Sequence, residues 1–339
     1  MISIDQHRLR AVCEGMTGKR VAVIGDVMLD RYLWGRVNRL SPEAPVPIIE
    51  LDREQSRLGG ASNVAQNVLA LGGTPLLVGV IGDDATGREL IGLLGQQGLS
   101  TGGLVTEPSR PTTVKTRIIA HSQHVARIDR ETRAPVGPAT TKKLCSFIES
   151  RLDEIDGIIF EDYNKGVIGR DLIRRVTALA RRRDVPVTVD PKFENFFDYP
   201  GVTVFKPNKK ETEEALGVKL TDQKGIEAAG RSLMKKPGPR NILMTLGDQG
   251  MMLFEEDGSV SHVPTKARNV ADVSGAGDTV IATLTMGLLG GASVREASCL
   301  ANFGGGVVCG YAGIVPIDRD ELVQAVLAEV DHPAAGKLS

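Results

Sequence analysis

Apolar residues come in short blocks along most of this chain, and the spacing inside the blocks switches between two kinds. Residues 20–26, Arg20-Val-Ala-Val-Ile-Gly-Asp26, form a continuous apolar run closed by a turn pair, which predicts a buried first strand. Residues 60–71 open on glycine and then place Val64, Ala65, Val68, Leu69 and Leu71 at helical spacing. A strand pattern at 75–80 and helical patterns at 86–94 and 139–152 follow. Short apolar runs at 157–160, 185–189, 202–205 and 241–246 are bounded by Gly, Pro, Asp or Asn, with helical patterns between several of them. Strands alternating with helices predict an α/β fold: a mostly parallel sheet with helices on both faces.

Two stretches break this rhythm. Residues 31–51 and 112–129 alternate apolar with polar, with Pro42, Pro45 and Pro47 interrupting the first and Pro111 preceding the second. They read as antiparallel strands outside the main sheet, a small β-sheet lid over the strand ends. A hairpin pair without a role is the alternative. Residues 1–332 are expected to form one domain and 333–339 a disordered tail.

Composition narrows the function classes. The 339 residues are 41% hydrophobic and 24% charged, with a formal net charge of −1, so a nucleic-acid partner is not expected. Cys13, Cys145, Cys299 and Cys309 form no C-x-x-C pair, which favours a reducing, cytoplasmic setting. Residues 1–20 lack the apolar run of a signal peptide. The longest apolar run, 280–292, is broken by Thr283, Thr285 and glycines and is too short to span a membrane.

Three motifs could carry chemistry. Gly275-Ala276-Gly277-Asp278 precedes a long apolar helix, so small residues let backbone N–H groups converge on an anion while a carboxylate stands beside them. That is what phosphoryl transfer asks of a protein: charge stabilisation and a base for the nucleophile. A helix N-cap is the competing reading of Asp278. Asn208 and Glu211, three apart at a helix start, could hold magnesium through its waters; the same spacing fits a capping box. Gly59-Gly60-Ala-Ser-Asn63 allows close backbone approach to a ligand, with Asn63 able to bond sugar hydroxyls. Here the competing reading is a plain loop-to-helix turn. Asp30 is a candidate for paired sugar hydroxyls, or a solvated loop carboxylate. No P-loop or dinucleotide fingerprint is present, which argues against those nucleotide folds.

Taken together, the Gly59–Asn63, Asn208-x-x-Glu211 and Gly275–Asp278 motifs resemble the ribokinase-like carbohydrate kinases, the PfkB family, over about residues 20–327. The resemblance implies that Asp278 is the catalytic base and Gly275, Ala276 and Gly277 the anion hole. It implies that Gly59, Gly60, Asn63 and Asp30 hold the sugar, and that Asn208 and Glu211 place Mg2+ with ATP. Thr245, Gly247 and Gly250 match the turn near the ATP phosphates and ribose, and Asn302 matches the adenine pocket. Asp272 is a candidate for K+.

The segments Gly25-Asp-Val-Met-Leu-Asp30-Arg-Tyr32, Ser41-Pro-Glu-Ala-Pro-Val-Pro47, Asp162-Tyr-Asn-Lys165-Gly and Asp190-Pro-Lys192 resemble the branch that phosphorylates D-glycero-β-D-manno-heptose 7-phosphate at O1. That branch adds Asp162, Lys165 and Lys192 to the substrate candidates. Lys115, Arg117 and Arg127 are further cationic candidates for the sugar's phosphate. Absence of an H-x-G-H motif implies a kinase without an adenylyltransferase domain. A homodimer through the lid is expected from its unpaired edges. A different ribokinase-like kinase and a non-catalytic sugar sensor are the rival functions.

Overall fold

Strand β1 (Arg20–Gly25) sets the plan of the molecule, because its side chains alternate between two separate cores. Val21 and Val23 join one apolar cluster, and Ala22 and Ile24 join the other. A strand buried on both faces has to be continuously apolar, as its sequence is. The structure is a computed structural model and describes residues 4–121, 123–265 and 270–331. The tail at 333–339 lies outside them.

Around β1 stand β4 (Thr74–Ile81), β5 (Gly103–Thr106), β8 (Gly157–Glu161), β9 (Val187–Asp190), β10 (Val204–Phe205), β11 (Asn241–Thr245), β12 (Met251–Phe254) and β13 (Val260–Val263). They form a nine-stranded sheet in the order β13-β12-β11-β10-β9-β8-β1-β4-β5. The pairs from β5 to β11 are parallel, and β12 and β13 add an antiparallel edge. Helices α1 (Gln6–Met16), α2 (Ala61–Ala70), α3 (Ala85–Gln96), α8 (Ala276–Leu289), α9 (Val294–Val308) and α10 (Arg319–Asp331) cover one face. Helices α4 (Pro138–Arg151), α5 (Arg170–Arg182) and α7 (Gln223–Lys235) cover the other, and α6 (Lys209–Leu216) follows β10. The expected two-faced α/β architecture is therefore present. All four cysteines are buried thiols.

The small sheet is also present, and longer than its alternating pattern predicts. Strands β2 (Val27–Leu40), β3 (Pro47–Gly60), β6 (Thr113–Ala120) and β7 (Gln123–Arg130) lie in the order β3-β2-β6-β7. One expectation is corrected. The sheet is two antiparallel hairpins joined by a parallel pair, β2 against β6, and is not antiparallel throughout. The chain enters the sheet directly from β1 and re-enters it after the β4–α3–β5 unit, so the two first strands run the same way. Pro47 is tolerated because it opens β3.

Candidate active site

The carboxyl ends of β1, β8, β9, β10 and β11 bring most of the candidate residues to one edge of the main sheet, where open α/β sheets bind ligands. Helix α8 points its N-terminus at this edge. Gly275 precedes it with φ 79°, a left-handed conformation suited to glycine, and among the described residues no side chain caps the helix. Ala276 N donates to Val273 O (3.3 Å), and the N–H groups that follow it in the first turn make a ready anion site.

Asp278 is not the cap. It sits in the first turn, 2% exposed, and faces inward. Asn63 Nδ2 donates to Asp278 Oδ2 (2.7 Å) and the Tyr163 hydroxyl donates to Oδ1 (2.7 Å). Burial pushes the Asp278 carboxyl up to about 6; the bonds from Asn63 and Tyr163 restrain the rise and Asp190 adds to it. Such a group is ionised at neutral pH yet basic enough to take a proton.

Two more carboxylates crowd it. One oxygen each of Glu161, Asp190 and Asp278 lie within 4.8 Å of one another. Asp190 Oδ2 is paired with the buried Lys206 Nζ (2.8 Å), and Lys192 Nζ stands 3.8 Å from Oδ1. Glu161 is fully buried, and among the described residues neither oxygen has a hydrogen-bond partner. Burial, with Asp190 and Asp278, raises its pKa well above the usual carboxylate range. A Cβ on Gly277 would lie 3.7 Å from Lys206 Nζ, so this lysine sits beside the anion turn.

The Asn208/Glu211 pair forms the capping box that its spacing allows. Asn208 Oδ1 accepts from Glu211 N (2.8 Å) and Glu211 Oε2 from Asn208 N (2.8 Å). Glu211 Oε1 also takes Lys192 Nζ (2.5 Å). Burial works against the Lys192 ammonium, but Asp190 and Glu211 outweigh it and raise its pKa.

The sugar-side candidates divide. Asp30 is not in a loop after the first strand; it lies on β2, 1% exposed, and accepts from Arg117 across the sheet. Gly59 serves Asp30, since a Cβ there would come within 2.0 Å of its Oδ2. Gly60 has φ 56°, and a Cβ there would meet Asp26 O at 2.4 Å. Asn63 spends its amide on Asp278. Asp162 has protein partners on both oxygens. It is buried and accepts from Asn164 N, Asn195 Nδ2 and the Tyr199 hydroxyl, so both oxygens brace the loop after β8. Lys165 is paired with Glu131 (2.7 Å), and Arg127 with Asp129 on the exposed β7. Lys115 differs: among the described residues it has no ion pair, and its Nζ lies 4.8 Å from the centre of the Tyr163 ring. Burial lowers its pKa, with Asp30 opposing.

The nucleotide-side candidates converge. Thr245, Gly247, Gly250, Ala276, Gly277 and Asn302 line one mostly apolar cleft of about 310 Å³, along with Met251, Val280 and Cys309. Asn302 also donates to Pro264 O (2.7 Å), holding one wall. Asp272 accepts from Ser274 N (2.9 Å) and Gly313 N (3.0 Å), which brace the turn ahead of α8.

Sequence reasoning missed Asp26, Glu161, Tyr163, Asp190 and Lys206 as site residues. Asp26, 1% exposed, accepts from the N–H groups of Tyr163, Lys165 and Val167 and so fixes the loop that carries Tyr163. Tyr163 and Asp190 lay inside segments already singled out, which was the available signal.

A sheet of this order with an uncapped helix head, a buried carboxylate and a lysine-lined edge is the equipment of a phosphotransferase of the ribokinase type. The model of the pfkB family of carbohydrate kinases matches residues 18–318, and the chain belongs to that family. It is 40% identical over 326 residues to the bifunctional protein HldE of Trichlorobacter lovleyi, covering 96% of this chain and 66% of that protein. It is 43% identical over 320 residues to the HldE of Paramagnetospirillum magneticum, covering 93% and 65%. The chain thus spans just under two thirds of the length of these relatives. Among solved structures, phosphofructokinase-2 from Escherichia coli in complex with potassium superposes with a TM-score of 0.76 at 17% identity, covering 92% of this chain and 99% of that one. Arabidopsis thaliana ribokinase complexed with ribose and ATP gives 0.72 at 18%, covering 91% and 99%. These likenesses establish the fold. The chain is a carbohydrate kinase, and no helix among its described residues is long and apolar enough to cross a membrane.

Proposed function

We propose that this kinase transfers the γ-phosphoryl group of ATP to O1 of D-glycero-β-D-manno-heptose 7-phosphate, giving the 1,7-bisphosphate for the heptose of lipopolysaccharide. The observation that carries the reading is a buried, doubly hydrogen-bonded Asp278 at a helix head without a side-chain cap, with Lys115, free of ion pairs among the described residues, 4.8 Å from the centre of the Tyr163 ring that bonds it. Asp278 accepts the O1 proton. O1 then bonds to the γ-phosphorus as the bond from that phosphorus to the bridging oxygen breaks, and ADP leaves. The amides of Gly275 to Gly277 and the Lys206 ammonium offset charge on the moving group.

The heptose choice rests on the segments around Asp30, Ser41, Asp162 and Asp190. Lys115 is the anchor we assign to the 7-phosphate, because Arg117 and Lys165 already neutralise carboxylates. ATP takes the cleft of Thr245, Gly247, Gly250 and Asn302. Magnesium bound with ATP would neutralise its β- and γ-oxygens. Asn208 and Glu211 would hold it through waters, because the capping box and Lys192 already engage their oxygens. A homodimer through the small sheet accords with the exposure of Leu51 (54%) and Ile128 (58%), and a cytoplasmic setting accords with the reduced cysteines.

Coupled ADP release across a sugar panel tests the assignment. Heptose 7-phosphate should be phosphorylated much faster than ribose, fructose 6-phosphate or unphosphorylated heptose. Equal rates with ribose reject the heptose reading, and no turnover with any sugar favours a sensor.

A further inference from the structure

Each carboxylate oxygen of Asp278 accepts one donor and keeps a second lone pair, but the residue is 2% exposed, so a sugar hydroxyl reaches it only where a neighbour gives way. The two donors are held very differently. Asn63 is fully buried, and Asn67 Nδ2 donates to its Oδ1 (3.2 Å) and to its backbone oxygen (2.9 Å). Asn67 is fixed in turn, its Oδ1 accepting from Ile317 N (2.9 Å) and the Thr279 hydroxyl (3.2 Å). That chain of bonds leaves Asn63 no alternative position. Tyr163 is only half-buried. Its backbone is pinned by Asp26, but its ring lies beside the ends of two lysines, Lys115 (4.8 Å) and Lys192 (5.3 Å). Oδ1 is therefore reached from the Tyr163 side, and the phenol is the donor that can yield.

We propose that Tyr163 is a positioning residue that caps Asp278, occupying Oδ1 until a sugar hydroxyl takes its place and so keeping ATP from being hydrolysed by water. The inference rests on Asp278 being the base. Without the cap, a water at Oδ1 would give its proton to Asp278 as its oxygen bonds to the γ-phosphorus; the bond to the bridging oxygen breaks, and ADP and phosphate leave. The hydroxyl already holds that position at 2.7 Å. Its proton is secure, because burial and the Asp278 carboxylate raise the phenol's pKa.

The test is Tyr163→Phe in the whole chain, with ADP release measured without sugar and kcat/KM measured against pH with it. Sugar-free ADP release should rise several-fold. The acid limb of kcat/KM should move to higher pH, because a bond that lowers the Asp278 pKa is gone. A merely structural tyrosine would lower both activities together and leave the limb in place. Unchanged sugar-free release with an unmoved limb overturns the inference. In Tyr163→Phe/Asp278→Asn the extra hydrolysis should vanish, and hydrolysis that survives there overturns it too. If Tyr163→Phe melts early, both readouts are taken below its melting temperature against wild type at the same temperature. Full sugar-dependent turnover in Asp278→Asn alone would instead reject the base assignment, so the two failures are distinguishable.

Discussion

Two helix heads stand at the same edge of the main sheet, and their fates are opposite. Helix α6 closes itself: Asn208 and Glu211 satisfy one another's backbone N–H groups within four residues. Helix α8 begins on a left-handed glycine, has no side-chain cap, and turns its first-turn acid inward to partners 115 and 215 positions away. Both sequences allow a cap or a ligand site. The difference is that one head finds its side-chain partners locally and the other gives its acid to tertiary partners and has no side chain on its amides among the described residues. The open head can meet a ligand with its own amides, whereas the closed head can do so only through waters.

Breaking the open head should have a large effect. A Cβ at Gly275 would lie 3.0 Å from Asn63 Nδ2 and 3.3 Å from Ile314, in a backbone conformation that alanine resists. Gly275→Ala should displace the amide that holds Asp278 and cut kcat by ~10²-fold, the usual cost of misplacing a reacting group by an ångström. Steady-state kinetics check this, and a change confined to KM would contradict it. Removing the unpaired cation comes next. Lys115→Met should raise KM for the sugar phosphate by about 10-fold, the loss of one charge-assisted bond, and leave KM for ATP alone. Breaking the closed head should cost stability and, since its side chains reach magnesium only through waters, lower turnover less than Gly275→Ala does. Asn208→Ala is expected to cost ~1 kcal/mol in denaturant unfolding, as N-cap losses do. Turnover falling as far as in Gly275→Ala would erase the contrast between the two heads.

The smallest effect tests the crowding around Asp278. Glu161 has a pKa raised above its unfolded value, so the folded chain keeps a proton that the unfolded chain releases. Its carboxyl therefore costs nothing below roughly pH 4, near the unfolded value, and increasingly destabilises the fold as pH rises toward the folded value. Gln carries no such cost. Glu161→Gln should melt with the wild type at acid pH and a few degrees above it at neutral to alkaline pH. A pH-independent difference in melting temperature would show that Glu161 is not the strained member of the cluster.

These contrasts also explain what was legible in the sequence. Element order was readable because β1 and its neighbours are buried on both faces and bounded by turn residues. Helix α1 was not, although Leu9, Val12, Cys13 and Met16 keep helical spacing, because polar residues fill its other face. The capping box was readable because all of it lies within four residues. Asp162 was chosen over its neighbours in a motif that does belong to the site, but side chains alternate at a strand end. Glu161 and Tyr163 approach Asp278, and Asp162 between them turns to Asn195 and Tyr199. Lys206 and Asp190 meet only through strand order, which no local pattern encodes. The parallel joint of the small sheet was hidden for the same reason.

The central claim is that Asp278 is the base, and one comparison tests it most directly: turnover of Asp278→Asn against the wild type at saturating ATP and sugar phosphate, with ATP affinity measured alongside. Affinity should stay close to wild type while kcat falls by ~10²-fold or more. Near-wild-type turnover in that variant would contradict it.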